Sequence, residues 1–120
     1  MKFEDIDWHD QLLTEIRIDR KRPGQRDCIE IDFEIDGKRI SITFNEVYQA
    51  ELNMNFGIDG EETIRYGYIS NKGIEIERLQ NKWNKIGVEL NELKCFEFNT
   101  NSTNSLIKIY ALYYQIKEIV

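Results

Sequence analysis

The chain is poor in the residues from which ready-made chemical sites are built. Its 120 residues include one histidine, His9, two cysteines, Cys28 and Cys95, and one proline, Pro23. One histidine and two distant cysteines cannot give the paired ligand spacing of a structural zinc site. The cysteines could pair in principle, but both fall in strand-like segments, and in a reducing compartment they are expected to remain thiols packed as small apolar groups. No Gly-rich phosphate loop, Gly-x-Ser-x-Gly elbow or His-Glu-x-x-His motif occurs. No stretch approaches the roughly 20 apolar residues of a membrane span, and the N-terminal residues lack the apolar core of a signal peptide. A cytoplasmic protein without a cofactor is the expectation.

Positive charge is also in short supply. Sixteen Lys and Arg face 22 Asp and Glu, for a net charge of −6 and a pI near 4.9. Nucleic acid and anionic membrane both demand a basic surface, so neither is an expected partner, whereas a basic protein is. The hydrophobic share of 41% is enough for one ordinary core, and a single domain over residues 1–120 is expected.

What is present is alternation. Ile29, Ile31, Phe33 and Ile35 alternate with polar residues, Asp36-Gly37 follows, and Ile40, Ile42 and Phe44 alternate again. Asp-Gly suits a two-residue type I′ turn, which needs positive φ at both central positions. The turn sets Ile35 opposite Lys38, Phe33 opposite Ile40, Ile31 opposite Ile42 and Ile29 opposite Phe44. Pattern and turn chemistry select the same register. Leu12, Thr14, Ile16 and Ile18 suggest an earlier strand, separated from the hairpin by the polar loop Arg20–Arg26. Residues 45–56 contain helix formers, yet Tyr48, Ala50, Leu52, Met54 and Phe56 alternate without a break, and a further strand is expected there. Ile64, Tyr66 and Tyr68 suggest its return.

Ile76, Leu79, Trp83 and Ile86 form one apolar stripe at helical spacing, predicting a helix over about 73–86 ended by Gly87. Two strands follow, Leu93 to Phe98 and Leu106 to Ile116, the last apolar on both faces as if covered twice. The fold class is therefore α+β: mainly antiparallel sheet of about seven strands, in one or two layers, with one packed amphipathic helix.

Candidate sites are few. His9 beside Asp10 is a weak catalytic candidate, because neighbours in extended chain point to opposite faces and no nucleophile motif accompanies them. Glu30, Asp32 and Glu34 share the hairpin's outer face. Side chains two apart on a strand lie about 7 Å apart, too far to close on one cation, so an acidic docking surface is the functional reading and no metal is expected. Tyr110 and Tyr114 on the last strand are where a contact or oligomer surface would appear, since tyrosine buries area at low entropic cost.

Trp8-His9-Asp10, the Ile-Thr-Phe-Asn-Glu-Val-Tyr of residues 42–48, Leu52-Asn53-Met54-Asn55-Phe56-Gly57 and Thr100-Asn101-Ser102-Thr103 together resemble a group of small bacterial proteins. Some of that group are regarded as immunity proteins encoded beside polymorphic toxins. The resemblance implies a non-catalytic inhibitor of a basic toxin domain and carries over no active site. The expected function is thus protein binding. A small-molecule-binding or hydrolytic protein using His9, and a homo-oligomeric structural protein, stand as alternatives.

Overall fold

A computed structural model describes residues 1–119. Six strands form one antiparallel sheet: β1 (Leu12–Asp19), β2 (Cys28–Ile35), β3 (Lys38–Asn53), β4 (Ile64–Ser70), β5 (Lys94–Thr100) and β6 (Leu106–Glu118), in the order β1-β2-β3-β6-β5-β4. A 3-10 turn at Phe3–Asp5 precedes them, and one helix, α1 (Ile74–Asn84), lies between β4 and β5. The count is six rather than about seven because residues 45–53 are no separate strand. They continue β3 through a bulge between Val47 and Gln49, with Glu46 at φ 53°, and pair onward with β6 as far as Asn53. A bulge bends a strand without ending it, which periodicity alone cannot distinguish from a turn.

The β2–β3 hairpin has the expected register at every pair, from Ile35 opposite Lys38 to Ile29 opposite Phe44. Its turn has Asp36 at φ 52° and Gly37 at φ 79°, as a type I′ turn requires. The alternation read in β1 breaks at Thr14, where the register with β2 shifts, and Thr14 Oγ1 donates to the Asp32 carbonyl at 3.1 Å. Leu13 and Ile16 therefore pack on the core, while Ile18 is left 47% exposed.

The sheet curls until its two edge strands meet at one end. Leu12 bridges Thr63, Leu13 N donates to Glu62 O at 2.9 Å, and Ile64 N donates to Gln11 O at 2.8 Å. Beyond this seam, β1 pairs only with β2 and β4 only with β5. Curling turns one face inward, and the N-terminal residues fill it. Phe3 and Trp8 pack among Phe33, Phe44, Phe96 and Phe98, with Trp8 ring centroids 4.8 Å from Phe33 and 5.1 Å from Phe98. Gly67 makes room for that plug. A Cβ there would lie 2.8 Å from Trp8 Cγ and 3.0 Å from Phe98 Cδ1.

A second core lies on the outer face, where Ile76 and Leu79 of α1, with Leu90 and Leu93, cover Cys95 and Tyr110. Trp83 completes this stripe by packing edge-on to Tyr48 at 5.0 Å. The helix is shorter than its apolar pattern suggests: it stops at Asn84, Gly87 turns the chain at φ 84°, and Ile86 is left 69% exposed. The last strand is covered on both faces only as far as Leu112, by the helix outside and by the curled sheet with its aromatic plug inside, and beyond it Tyr113 faces solvent.

Candidate functional site

The outer face of the hairpin carries the acids in the expected alternation, but β1 changes their chemistry. Arg17 on β1 lies diagonally across from Asp32 and holds it with two parallel bonds, Nη1 to Oδ2 at 2.8 Å and Nη2 to Oδ1 at 2.9 Å. Glu15 and Glu30 flank the same guanidinium at 3.2 and 3.6 Å. Asp32 is 8% exposed, and the bonded Arg17 holds its carboxyl below the usual aspartate range even though burial opposes this. Asp32 is thus a strand-pairing residue rather than a displayed charge. Thr43 Oγ1 donates to Glu30 at 3.3 Å, and Glu34 remains exposed opposite Arg39. The sequence pattern could not announce Arg17, because the β1–β2 register rests on the Thr14 bulge and an intervening loop.

Tyr110 and Tyr114 of β6 are likewise turned into packing. Tyr110 is 3% exposed under α1, with its hydroxyl donating to Glu51 at 3.2 Å, and burial raises its pKa far above the usual tyrosine range. Tyr114 turns toward the inner core against Phe96, and its hydroxyl accepts from Phe3 N at 3.1 Å. Tyr113, between them, is the exposed ring of this strand. At the sheet edge, Tyr66 donates to Glu97 at 2.6 Å, and burial, with the adjacent carboxylate, pushes its pKa up to about 12.

His9 and Asp10 do meet, against the expectation from extended geometry. Asp10 takes φ 64° in a turn closed by Gln11 N to Trp8 O, so its carboxylate swings to 3.1 Å from His9 Nδ1. Both side chains stand about two-thirds in solvent, and Asp10 also accepts from Asn101 at 3.4 Å. A dyad needs a third group, and among the described residues no Ser, Thr, Cys or Lys side chain bonds to His9. Among the described residues no group of three His, Cys, Asp or Glu side chains is placed to hold a metal ion.

The Asn99–Ser105 turn lies at the seam and bonds almost wholly to the protein. Asn101 donates to Thr63 Oγ1 at 2.9 Å and to Ile64 O at 3.2 Å, while Asn55 donates to Thr103 O at 3.0 Å. The Glu62 carboxylate accepts from Ser102 N at 3.0 Å, from Thr103 N at 3.3 Å and from the Thr103 hydroxyl. Thr100 and Ser105 are buried in this network. It joins β4, β5 and β6 to the start of β1, and sequence reasoning missed Glu62 because its partners lie some forty residues away.

A concave feature lies elsewhere. A groove of about 1140 Å³ runs between the β1–β2 loop on one side and Trp83 and Val88 on the other, with β3 from Thr43 to Leu52 as its floor. Arg20, Lys21 and Arg26 stand on its loop wall, and Ile18, Val47, Tyr48 and Leu52 supply apolar surface. The loop is held by its flanking acids. Asp19 accepts from Lys21 N at 3.0 Å and Asp27 from Gly24 N at 2.8 Å, so the aspartates bind backbone and leave the cationic side chains unneutralised. Comparison with protein-family models and with curated proteins found no match to the chain.

Proposed function

We propose that the chain is a non-catalytic protein-binding domain, acting as an immunity protein that neutralises a toxin domain. The observation that carries the reading is the groove, open and walled by separate elements, with a floor of mixed apolar and polar side chains and a charged rim. The net charge of −6 and the solvent-facing Glu15 and Glu34 on the hairpin side favour a basic partner. Co-purification from the native host followed by mass spectrometry tests this reading. A stoichiometric protein partner is expected, and recovery of the chain alone, or with a small molecule, overturns it. Once a partner is in hand, Glu30→Gln with Glu34→Gln is expected to slow association at low salt and to have little effect at high salt. Asp32 is left out of that test because its loss would disturb the fold.

One observation favours a second reading, the 3.1 Å contact of His9 with Asp10. A hydrolytic activity found with generic ester or phosphate substrates, and abolished by His9→Ala in a folded protein, would establish it in place of the first.

A further inference from the structure

Strand β3 outruns the strand beside it. Its pairing with β2 ends at Asn45, opposite Cys28, whereas its pairing with β6 continues to Asn53. On the side that β2 no longer flanks, Val47 N donates to Asp27 O at 3.3 Å. Beyond that bond, among the described residues, no main-chain group from Tyr48 to Asn53 bonds to anything but β6. Alternate main-chain groups of a strand point to either side, so this stretch of about 20 Å presents a row of unpaired N–H and C=O groups. Ala50, Glu51, Leu52 and Asn53 are all exposed. Unpaired edges are usually blunted by proline, lysine or a covering element, because they invite another strand. This one holds neither residue, and its one charge, Glu51, accepts from the Tyr110 hydroxyl. The groove runs along the same edge: Tyr48, Ala50 and Leu52 line it, and the β1–β2 loop meets β3 at Val47.

We propose that this groove receives an extended segment of a partner protein, low in net charge and apolar at alternate positions, which pairs with the free edge of β3 from Tyr48 to Asn53. The assignment rests on the protein-binding reading and names the part of the partner that enters. Unpaired N–H and C=O groups at strand spacing are matched by another extended main chain, which takes up the line that β2 leaves at Cys28. Side chains follow from the walls. Leu52, 37% exposed, lines the groove with Ile18 and Trp83, so every second residue of an added strand meets apolar surface. Charge follows from the count. The four cations of the lining are matched by four acids, Asp19, Asp27, Glu30 and Glu46, so the groove as a whole favours neither sign. A nucleic-acid strand has no main-chain ladder to offer, and those acids oppose its phosphates. A second copy of the chain would have to bring its own loop and helix to a groove already walled by both.

The probe is a short blocked peptide in which valine alternates with serine and asparagine, titrated into the isotope-labelled full chain and followed by amide and indole NMR signals. It is compared with its N-methylated form, with glutamate–valine and lysine–valine counterparts, and with an oligothymidylate. Saturable shifts are expected from Tyr48 to Asn53 and at the Trp83 indole, with slowed hydrogen exchange of alternate amides in that stretch. N-methylation should abolish them, and neither charged peptide should bind more tightly than the neutral one. Leu52→Glu and Leu52→Lys, at an exposed strand position, should each weaken binding about tenfold or more with the circular dichroism unchanged. Indifference to N-methylation, tighter binding of a charged peptide or of oligothymidylate, opposite responses of the two Leu52 variants, or no binding of any probe each overturns the assignment. So does a free chain that sediments as a dimer with these amides already protected, which would give the edge to a second copy. The two readings fail separately. A cognate partner that binds Leu52→Glu as well as the wild type removes the edge assignment and leaves the protein-binding function, while peptide binding without a recoverable partner does the reverse.

Discussion

The seam and the groove lie on one curled sheet and treat polar side chains in opposite ways. At the seam, Asn101, Ser102, Thr103 and Glu62 are bonded to one another or to backbone, and Thr100 and Ser105 are buried. At the groove, the loop's backbone is tied down by Asp19 and Asp27, yet among the described residues its cationic side chains make no ion pair or hydrogen bond. Satisfied, buried polar groups specify a structure, because each loses water and regains it in protein bonds. Exposed charges without a partner in the fold add little to its stability, so they are the groups free for a partner. The contrast shifts attention from the conspicuous motifs to an unremarked loop.

That division can be broken by experiment, beginning where the structural side is strongest. Trp8→Ala empties the centre of the inner aromatic cluster and should destabilise the fold by about 3–5 kcal/mol in urea or guanidinium melts. A loss below ~1 kcal/mol would mean that the N-terminal segment does not plug the sheet. Gly67→Ala makes the opposite error by overfilling, and about 1–3 kcal/mol is expected. On a Trp8→Phe background the smaller ring should relieve part of that penalty, a coupling that a double-mutant cycle would measure.

Glu62→Ala leaves the amides of Ser102 and Thr103 without their acceptor, for an expected loss of about 1–3 kcal/mol. Melts matching the wild type would place the seam beside the groove as mere surface. Asp32→Asn should cost about 1–2 kcal/mol near neutral pH, since Arg17 loses a charged, bidentate partner but keeps partial access to water. The sign with pH follows from the lowered carboxyl. Its stabilisation is complete above the ordinary aspartate pKa of 3.8 and is lost as pH falls through the lowered folded value, so the gap between variant and wild type should close only in acid. A gap that persists unchanged at low pH would assign the effect to packing instead. At the small end, Arg20→Ser with Arg22→Ser should change stability by less than about 0.5 kcal/mol. A larger loss would show that the loop cations serve the fold after all.

Much of the sheet was legible because local chemistry dictated it. Asp36-Gly37 admits few turns, and one correct turn fixes the pairs between β2 and β3. The helix was legible from its stripe, although Gly87 acts earlier than the stripe's last member, Ile86, would suggest. What escaped were events of register and closure. The bulges at Thr14 and near Glu46 move side chains between faces without a compositional mark, and closure by Leu12 and Thr63 joins segments that share no pattern. The candidate residues suffered accordingly. The alternation that put Asp32 outward was right, but its neutralisation by Arg17 depends on a bulge, and the burial of Tyr110 depends on where α1 docks.

The aromatic plug also bears on the order in which the chain can assemble. Phe3 donates its amide to Tyr114, which lies 111 residues later, and its ring rests against Phe96 and Phe98. During synthesis this segment emerges well before the elements it packs against, since β5 and β6 must exist before the cavity they line with β2 and β3. Contacts of such separation slow folding and leave apolar surface uncovered meanwhile. For a ribosome-bound chain, the interval between the appearance of Trp8 and that of Tyr114 is a window in which the aromatic surface awaiting burial is open to a chaperone.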